Sequence, residues 1–410
     1  MESNSPYDVY ALREEFPIFK QRINGEPLAY LDSASSAAKP QAVIKAMSDF
    51  FANDYANVHR GLHTLSMRST DLFESARRKV AEFIGATEQE IIFTRNATEG
   101  INLVASSFAR RHLKAGQSIL ISAMEHHANI VPWQILAKEM EVALKIIPID
   151  ERGVLDMSAY ETTLANDNIG LVCVVHVSNV LGTVNPVAQM IELAHVHGIP
   201  VMVDACQSVV HMPLNVKELD ADFLVFSSHK LYGPTGLGVL YGKTEFLQDM
   251  PPYQAGGEMI KEVSYDKVSF ADPPLRFEAG TPAITEAIGL MAAIEWIEKW
   301  GLDCIHAHEV GILEYAQQQA YEFQGMRIIG NAPNKVSVLS FHFDTMHAHD
   351  ISTILDQGGV AVRAGHHCAQ PLMQHFGVTA TARASFAAYS TYEEVDQLFA
   401  ALRQAKALLS

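Results

Sequence analysis

Residues 222–243 read DFLVFSSHKLYGPTGLGVLYGK, and everything else in the chain can be placed relative to Lys230 within them. The run FLVF is short, apolar and rich in β-formers, which predicts a strand covered on both faces. Polar residues follow at once. Ser227, Ser228 and His229 bring hydrogen-bonding groups beside Lys230, and PTGLG then turns the chain into a second apolar run, VLYG. A lysine just beyond a buried strand can be desolvated into a nucleophilic amine able to form a Schiff base. A surface lysine after a strand is the plainer alternative, and the flanking sequence decides between the two.

Outward from this stretch, strands and helices alternate from about Glu90 to Gly242, the pattern of a mostly parallel α/β sheet. In EIIFTRNATEGINLVASSF the strand IIFT passes through a polar turn into a helix beginning near Ala97 and Thr98. Free N–H groups there, with the Thr98 hydroxyl, make an anion site suited to a phosphate, while an ordinary N-cap accounts for Thr98 alone equally well. The strand SILIS ends at AMEHHANIVPW, which puts His126 and His127 at a carboxyl end, where open α/β sheets bind ligands. Adjacent side chains diverge, so at most one of the two faces a ligand. LVCVVHVSNVLGTVNPV is a buried strand running into a polar loop that offers the Asn179 amide. PVMVDACQS ends a strand at Asp204, a carboxylate whose apolar setting calls for a cationic partner, either a pyridinium nitrogen or a structural arginine.

Before this region, LAYLDSASSAAKP moves from a short strand into small residues where a backbone can lie close to a ligand, and Lys39-Pro40 opens a helix. Residues 53–68, NDYANVHRGLHTLSMR, have no clean period and are read as an ordered loop whose cations serve a neighbour's site or cap a helix. After Met250 the alternation breaks into Pro and Gly pairs as far as Pro282, as expected for a long loop or hairpin across the surface. A helix (283–300), a second amphipathic helix, the strand VSVLSFHF and a helix near Asp350 then predict a smaller α+β domain, with Thr391 and Glu394 forming a capping box for the last helix.

The chain has 410 residues, 48% of them hydrophobic, enough for a large domain and a smaller one. A formal charge of −17 argues against nonspecific binding to nucleic acid or anionic membranes. No basic leader precedes an apolar stretch in MESNSPYDVYALREEF and no segment reaches a membrane span, so a cytoplasmic protein is expected. Cys173, Cys206, Cys304 and Cys368 form neither a disulfide framework nor a CxxC pair. No HExxH or Cys cluster points to a metal. Cys368 lies in GHHCAQP, a glycine- and histidine-rich loop suited to exposure.

Eight blocks in order, TRNATEGIN, MEHHANIVPW, HVSNVLGT, VDACQS, SSHKLYGPTGLG, RFEAGTP, VRAGHHCAQPLM and RASF, closely resemble the cysteine desulfurases of the class V aminotransferase group, from about Leu28 to the C-terminus. Their wording is similar to the SUF-type (group II) branch, which includes proteins also called selenocysteine lyases. The resemblance implies a homodimer binding pyridoxal 5′-phosphate with the fold-type I architecture. It further implies a large domain over 24–292 built on a mostly parallel seven-stranded sheet, and a small α+β domain of 1–23 and 293–410 carrying the cysteine loop.

By the same resemblance Lys230 is the Schiff-base lysine, Asp204 the partner of the pyridine nitrogen, Gln207 a donor to the ring oxygen, and His126 the residue stacked on the ring. Ala97, Thr98, Ser227 and His229 look like cofactor phosphate ligands, with Thr281 donated by the other subunit. Asn179, Arg383 and Arg363 match the residues around the substrate carboxylate. Cys368 resembles the nucleophile that takes sulfur from L-cysteine and leaves alanine; L-selenocysteine is a second expected substrate. The shortness of the Cys368 loop implies a sulfur-acceptor protein of the SUF type or its paralogue, supplying iron–sulfur cluster assembly. Three departures stand out. NATE replaces the family's GTTE, VDACQ replaces VDGAQ and so sets Cys206 against the cofactor, where it is read as packing, and QAGGEMI is less glycine-rich than the branch pattern. A dedicated selenocysteine lyase is the nearest competing reading, followed by an aminotransferase or kynureninase-like enzyme and a silent scaffold that binds a sulfur-transfer partner; a thiol opposite the cofactor separates the aminotransferase and kynureninase-like readings from a desulfurase.

Overall fold

The computed structural model describes residues 7–409. Its centre is a seven-stranded sheet of β1 (Ile91–Thr94), β2 (Ser118–Ser122), β3 (Ala143–Ile147), β4 (Ile169–Val175), β5 (Val201–Asp204), β6 (Phe223–Ser227) and β7 (Gly238–Gly242), in the order β1-β7-β6-β5-β4-β2-β3. β7 alone runs antiparallel to its neighbours β1 and β6; the other pairs are parallel. Side chains alternate between two apolar layers, as period-2 geometry requires. Ile91, Phe93, Leu120, Val172, Val203, Leu224, Phe226 and Val239 face one core. Ile92, Ile119, Ile121, Leu171, Met202, Phe223, Val225 and Leu240 face the other. Runs that read as continuous apolar stretches are therefore buried on both sides.

Helix Ile284–Trp300 packs against helices Gln41–Asn53 and Thr64–Ile84 on the first of these layers. The C-terminal part carries an antiparallel sheet in the order Arg327–Ile329, Val338–His342, Thr381–Ser385, Arg363–Gly365. Helices Leu302–Glu322, Ala348–Gln357 and Tyr392–Leu409 cover it around Ile312, Leu355, Leu398 and Phe399. The expected Thr391–Glu394 box is formed, the Thr391 N–H reaching Glu394 Oε2 at 3.0 Å. Ala29–Tyr30 pairs in parallel with Val360–Ala361, so the start of the chain is stitched to its end.

One expectation is corrected. Of residues 53–68, only 54–63 form a loop; Asn53 ends helix Gln41–Asn53 and Thr64 begins a helix of 21 residues. Its buried apolar stripe (Phe73, Ala76, Val80, Ala81, Ile84) lies downstream, and the first turn points Leu65 and Met67 outward while burying Ser66, so no apolar period marks the start. His63 caps that helix by accepting the Ser66 N–H, His59 meets Glu74 at 2.8 Å, and Arg60 meets Glu258 at 3.2 Å. The surface segment after Met250 contains the expected hairpin, Ile260–Val263 with Val268–Phe270.

Glu278 locks three elements together. Both its oxygens take the Arg77 guanidinium, at 2.7 and 2.9 Å, and one also accepts the Phe93 N–H at 2.7 Å. Arg77 and Glu278 are both buried. Removing Glu278 leaves the buried Arg77 with Glu74 at 2.9 Å as its remaining counter-charge and the Phe93 N–H without an acceptor, so Glu278→Ala is expected to cost about 3 kcal/mol. The urea unfolding midpoint measures this.

Candidate active site

The parallel strands end on one edge of the sheet, and all of them except the edge strand β3 deliver residues to the same place. β1 leads to Asn96, Ala97 and Thr98; β2 to His126; β4 to Val177 and Asn179; β5 to Asp204, Cys206 and Gln207; β6 to Ser227, His229 and Lys230. These residues line a cavity of about 320 Å³. Arg363, His367, Cys368 and Arg383 close it from the C-terminal part, and Ala34 and Ser35 from the start of the chain. The structure thus brings together every candidate site residue except Thr281. That residue is exposed and lines a separate cleft of about 250 Å³ with Arg95 and Gln254.

At the floor, the Asp204 carboxylate is buried and accepts the Cys206 N–H at 2.9 Å. Gln207 Nε2 donates to Ala34 O at 2.7 Å. The buried Gln207 Oε1 and Asn179 Oδ1 lack hydrogen-bond partners among the described residues. At the helix start, Asn96 is the cap, accepting the Glu99 N–H at 2.9 Å. The Ala97 N–H is engaged by Ser227 Oγ at 2.9 Å, which leaves the Ser227 hydroxyl proton free to serve an anion and Thr98 as the first-turn residue beside it. Gly238 is required here, since a Cβ would come within 2.4 Å of the Asn96 backbone.

His126 accepts the Ala128 N–H on Nδ1 at 3.0 Å, which places the proton of the neutral ring on Nε2. Burial, reinforced by Lys230, pushes its pKa down to about 4. His229 is held neutral in the same way, down to about 4. The adjacent His127 turns elsewhere, to the Gln370 N–H at 3.0 Å. Beneath them the fully buried Glu125 takes Asn129 Nδ2 at 2.7 Å and the Val175 N–H at 2.9 Å, and burial raises its pKa to about 8.

The Cys368 loop is fixed from several sides. His367 O accepts Asn179 Nδ2 at 2.9 Å, Cys368 O accepts the His127 N–H at 2.7 Å, and His367 Nε2 lies 2.8 Å from Thr381 Oγ1. His367 and Cys368 both have left-handed backbones, φ 50° and 57°, a rare conformation for non-glycine residues that costs on the order of 1–3 kcal/mol each. It leaves the Cys368 thiol exposed at the cavity.

Sequence reasoning missed Asp32, Lys39 and His367. Asp32 lies within 3.2 Å of both Arg363 and Arg383. Lys39 Nζ donates to the carbonyl of His229, immediately before Lys230, at 2.8 Å. The signal for Asp32 and Lys39 was the polar punctuation of LDSASSAAK, a charge near each end of a run of small residues, and His367 stood beside Cys368 in GHHCAQP.

Against known proteins, the Aminotransferase class-V family model matches residues 29–398. A cysteine desulfurase of Dickeya dadantii (strain 3937) is 49% identical over 405 residues, covering 98% of both chains. One of Escherichia coli (strain SE11) is 47% identical over 405 residues, covering 98% of this chain and 99% of its own. The structure of the cysteine desulfurase CsdA (S-sulfonic acid) from Escherichia coli is similar at TM-score 0.92 and 38% identity, over 99% of this chain and 100% of that one. The apo cysteine desulfurase from Thermococcus onnurineus NA1 reaches 0.93 at 39%, with the same coverage. The chain belongs to the class V aminotransferase family, and its fold is the fold-type I architecture. The relatives that match it within that family are cysteine desulfurases.

The cofactor is pyridoxal 5′-phosphate. The cavity fits it on its own chemistry, with a buried carboxylate, a lysine, a hydroxyl-flanked helix start and orphaned amide oxygens around one space. Among the described residues, no group of three or more His, Cys, Asp or Glu is placed to hold a metal, and no helix is long and apolar enough to cross a membrane.

Two expectations arise from this site. Cys304 and Cys368 are exposed, while Cys173 and Cys206 are buried with thiols pushed up by burial. A thiol reagent should label the first pair in the native protein and the second only after unfolding, read by peptide mass spectrometry. The second concerns pH. His126, His176 and His229 are depressed to about 4 and His367 to about 3, all by burial, so between these values and 6.5 the unfolded chain binds protons that the folded chain refuses. Stability from these imidazoles falls as pH drops through that window. Glu125 and Glu394, raised by burial to about 8 and about 7, act oppositely, favouring the fold more as pH falls toward 4.5. The imidazoles outnumber them, so the urea midpoint of the cofactor-free protein should be lower at pH 5 than at pH 7.

Proposed function

We propose that this chain is a cysteine desulfurase of the SUF type, converting L-cysteine to L-alanine with a persulfide formed on Cys368. The observation that carries the reading is an exposed thiol, fixed by its neighbours' hydrogen bonds, at the mouth of the cavity that holds Lys230 and Asp204. Bound pyridoxal phosphate supplies an electron sink for the pair released when the substrate Cα–H bond breaks. Asp204 would keep the ring nitrogen protonated, Gln207 would serve the ring oxygen, and His126, with its proton on Nε2, would pack against the ring. Thr98, Ser227 and His229 would hold the phosphate, with Ala97 lining the site and orienting the Ser227 hydroxyl through its own N–H. Asn179, Arg363 and Arg383 hold the substrate carboxylate, the guanidiniums by charge-assisted hydrogen bonds.

Lys230, freed as an amine, takes the Cα proton. The Cys368 thiolate attacks the substrate sulfur, the C–S bond breaks, and the Cα and Cβ positions are protonated as alanine leaves. L-Selenocysteine is a second substrate, its weaker C–Se bond breaking without help from Cys368: the bonding pair stays on Cβ, which is protonated on the way to alanine, and selenium leaves at the zero-valent level.

Thr281 serves the cofactor phosphate of a second copy, in keeping with its distance from this chain's own cavity and with the exposed apolar side chains Phe51, Tyr55, Leu62 and Met67. The protein is accordingly a homodimer, with residues 24–292 as the large domain and 1–23 with 293–410 as the small one; residues 1–6 lie outside those described. It is cytoplasmic and passes its sulfur to an acceptor protein of the SUF type or its paralogue for iron–sulfur cluster assembly. The test is mass spectrometry of the peptide containing Cys368 after one turnover with L-cysteine. One added sulfur on that residue, with alanine in equal amount, supports the reading; alanine without it overturns the role of Cys368.

A further inference from the structure

Arg363 and Arg383 are register partners on neighbouring antiparallel strands, so their side chains leave the sheet on the same side. Like charges directly opposite one another destabilise such a pair. The segment that relieves them comes from the other end of the chain. Leu31 N–H donates to Ala361 O at 2.9 Å, Ser385 N–H donates to Leu31 O at 2.8 Å, and Asp32 bridges Ser385, which fixes Asp32 beside both arginines. Its Oδ2 lies 3.2 Å from Arg363 Nη2 and 3.3 Å from Nε, and its Oδ1 lies 3.2 Å from Arg383 Nη2.

The two arginines are not held alike. Arg383 is buried and also donates to Asn179 O at 2.8 Å and Ser35 Oγ at 2.6 Å, with its Nε unpartnered among the described residues. Arg363 has a side chain 49% exposed and only long bonds to Asp32. Two guanidiniums against one carboxylate leave a single positive charge at the cavity mouth.

We propose that Asp32 is a built-in counter-carboxylate: it holds Arg363 and Arg383 as a pair and reduces their charge so that the pocket takes one monoanionic carboxylate. Asp32 is a positioning residue, acting through the arginines. Arg383 stays anchored when substrate arrives, and Arg363, the loosely held arm, exchanges Asp32 for the substrate carboxylate. Because the pocket's charge is matched by a single anion, dianions bind it poorly. This inference rests on the reading that Arg363 and Arg383 hold the substrate carboxylate.

The test compares cofactor-loaded wild type, Asp32→Asn, Asp32→Glu and Asp32→Asn/Arg363→Ala. It reads the shift of the thermal midpoint by inorganic sulfate, against chloride at equal ionic strength, together with kcat and KM for L-cysteine. Asp32→Asn is expected to bind sulfate at least tenfold more tightly than wild type and to lose kcat severalfold, with Asp32→Glu close to wild type and the double variant without the added sulfate response. An unchanged sulfate response in folded Asp32→Asn, or a gain that survives removal of Arg363, overturns the proposal. Should Asp32→Asn not fold, Arg363→Ala decides: with Asp32 then balancing Arg383, sulfate should no longer shift the midpoint, and a retained shift overturns the proposal. The underlying reading fails separately, if Arg363→Ala and Arg383→Ala leave KM for L-cysteine unchanged.

Discussion

Cys368→Ala is expected to lower alanine formation from L-cysteine by at least about 10³-fold while leaving L-selenocysteine cleavage within a few-fold of wild type. The difference follows from where the thiol sits. Cys368 is on the rim, at an exposed loop position, and not among the buried groups that contact the cofactor's end of the cavity. Its loss removes the acceptor of sulfur, yet Lys230, Asp204 and His126 remain to break the Cα–H bond. Alanine has no β-branch and tolerates the left-handed backbone at position 368 little worse than cysteine, so the loop should persist. Parallel assays of the two substrates, with the thermal midpoint as a control for folding, check the expectation. Equal losses on both substrates would mean that Cys368 supports the cavity's architecture and does not accept sulfur.

Lys230→Ala should abolish turnover of both substrates, by at least about 10⁴-fold, because one residue carries both the covalent link to the cofactor and the proton transfer at Cα. Cofactor need not be lost, since Asp204, Gln207, Thr98 and Ser227 still face the same space. The visible band should therefore move to that of unlinked cofactor, and borohydride should no longer attach cofactor to a peptide from residues 222–243. Retention of the covalent adduct in the variant would show that another lysine bonds the cofactor. Lys39, whose pKa burial lowers to about 8, is the one to look for.

Most of the large sheet was legible because its central strands are short, apolar and buried on both faces and give way to polar residues, whereas the half-exposed edge strand Ala143–Ile147, with Lys145 inside it, gave no such signal. Asp204, His126 and Lys230 stand at those strand ends, so strand boundaries and site residues came from the same signal. Three things did not come from the sequence. The first turn of helix Thr64–Ile84, TLSM, carries its apolar residues Leu65 and Met67 exposed, and its buried apolar stripe begins only near Phe73. The Arg77–Glu278 pair joins residues far apart in the chain, with no local pattern to mark it. Asp32 looked like punctuation before small residues, since its partners Arg363 and Arg383 meet it only through the pairing of 29–31 with 360–361 and Ser385. Local periodicity announces elements, whereas charges that are matched across the fold remain hidden in it.

The joining of early and late segments also imposes a timetable. During synthesis Lys230 leaves the ribosome well before Arg383, roughly 10–30 s earlier at about 5–20 residues per second. Through that interval the nascent chain has its reactive amine and its buried carboxylate but neither the arginine pair nor the rim thiol. A growing chain thus carries Lys230 and Asp204 before it can grip an amino acid. Sulfur chemistry is deferred until the strand Thr381–Ser385 has been made and seated beside Asp32.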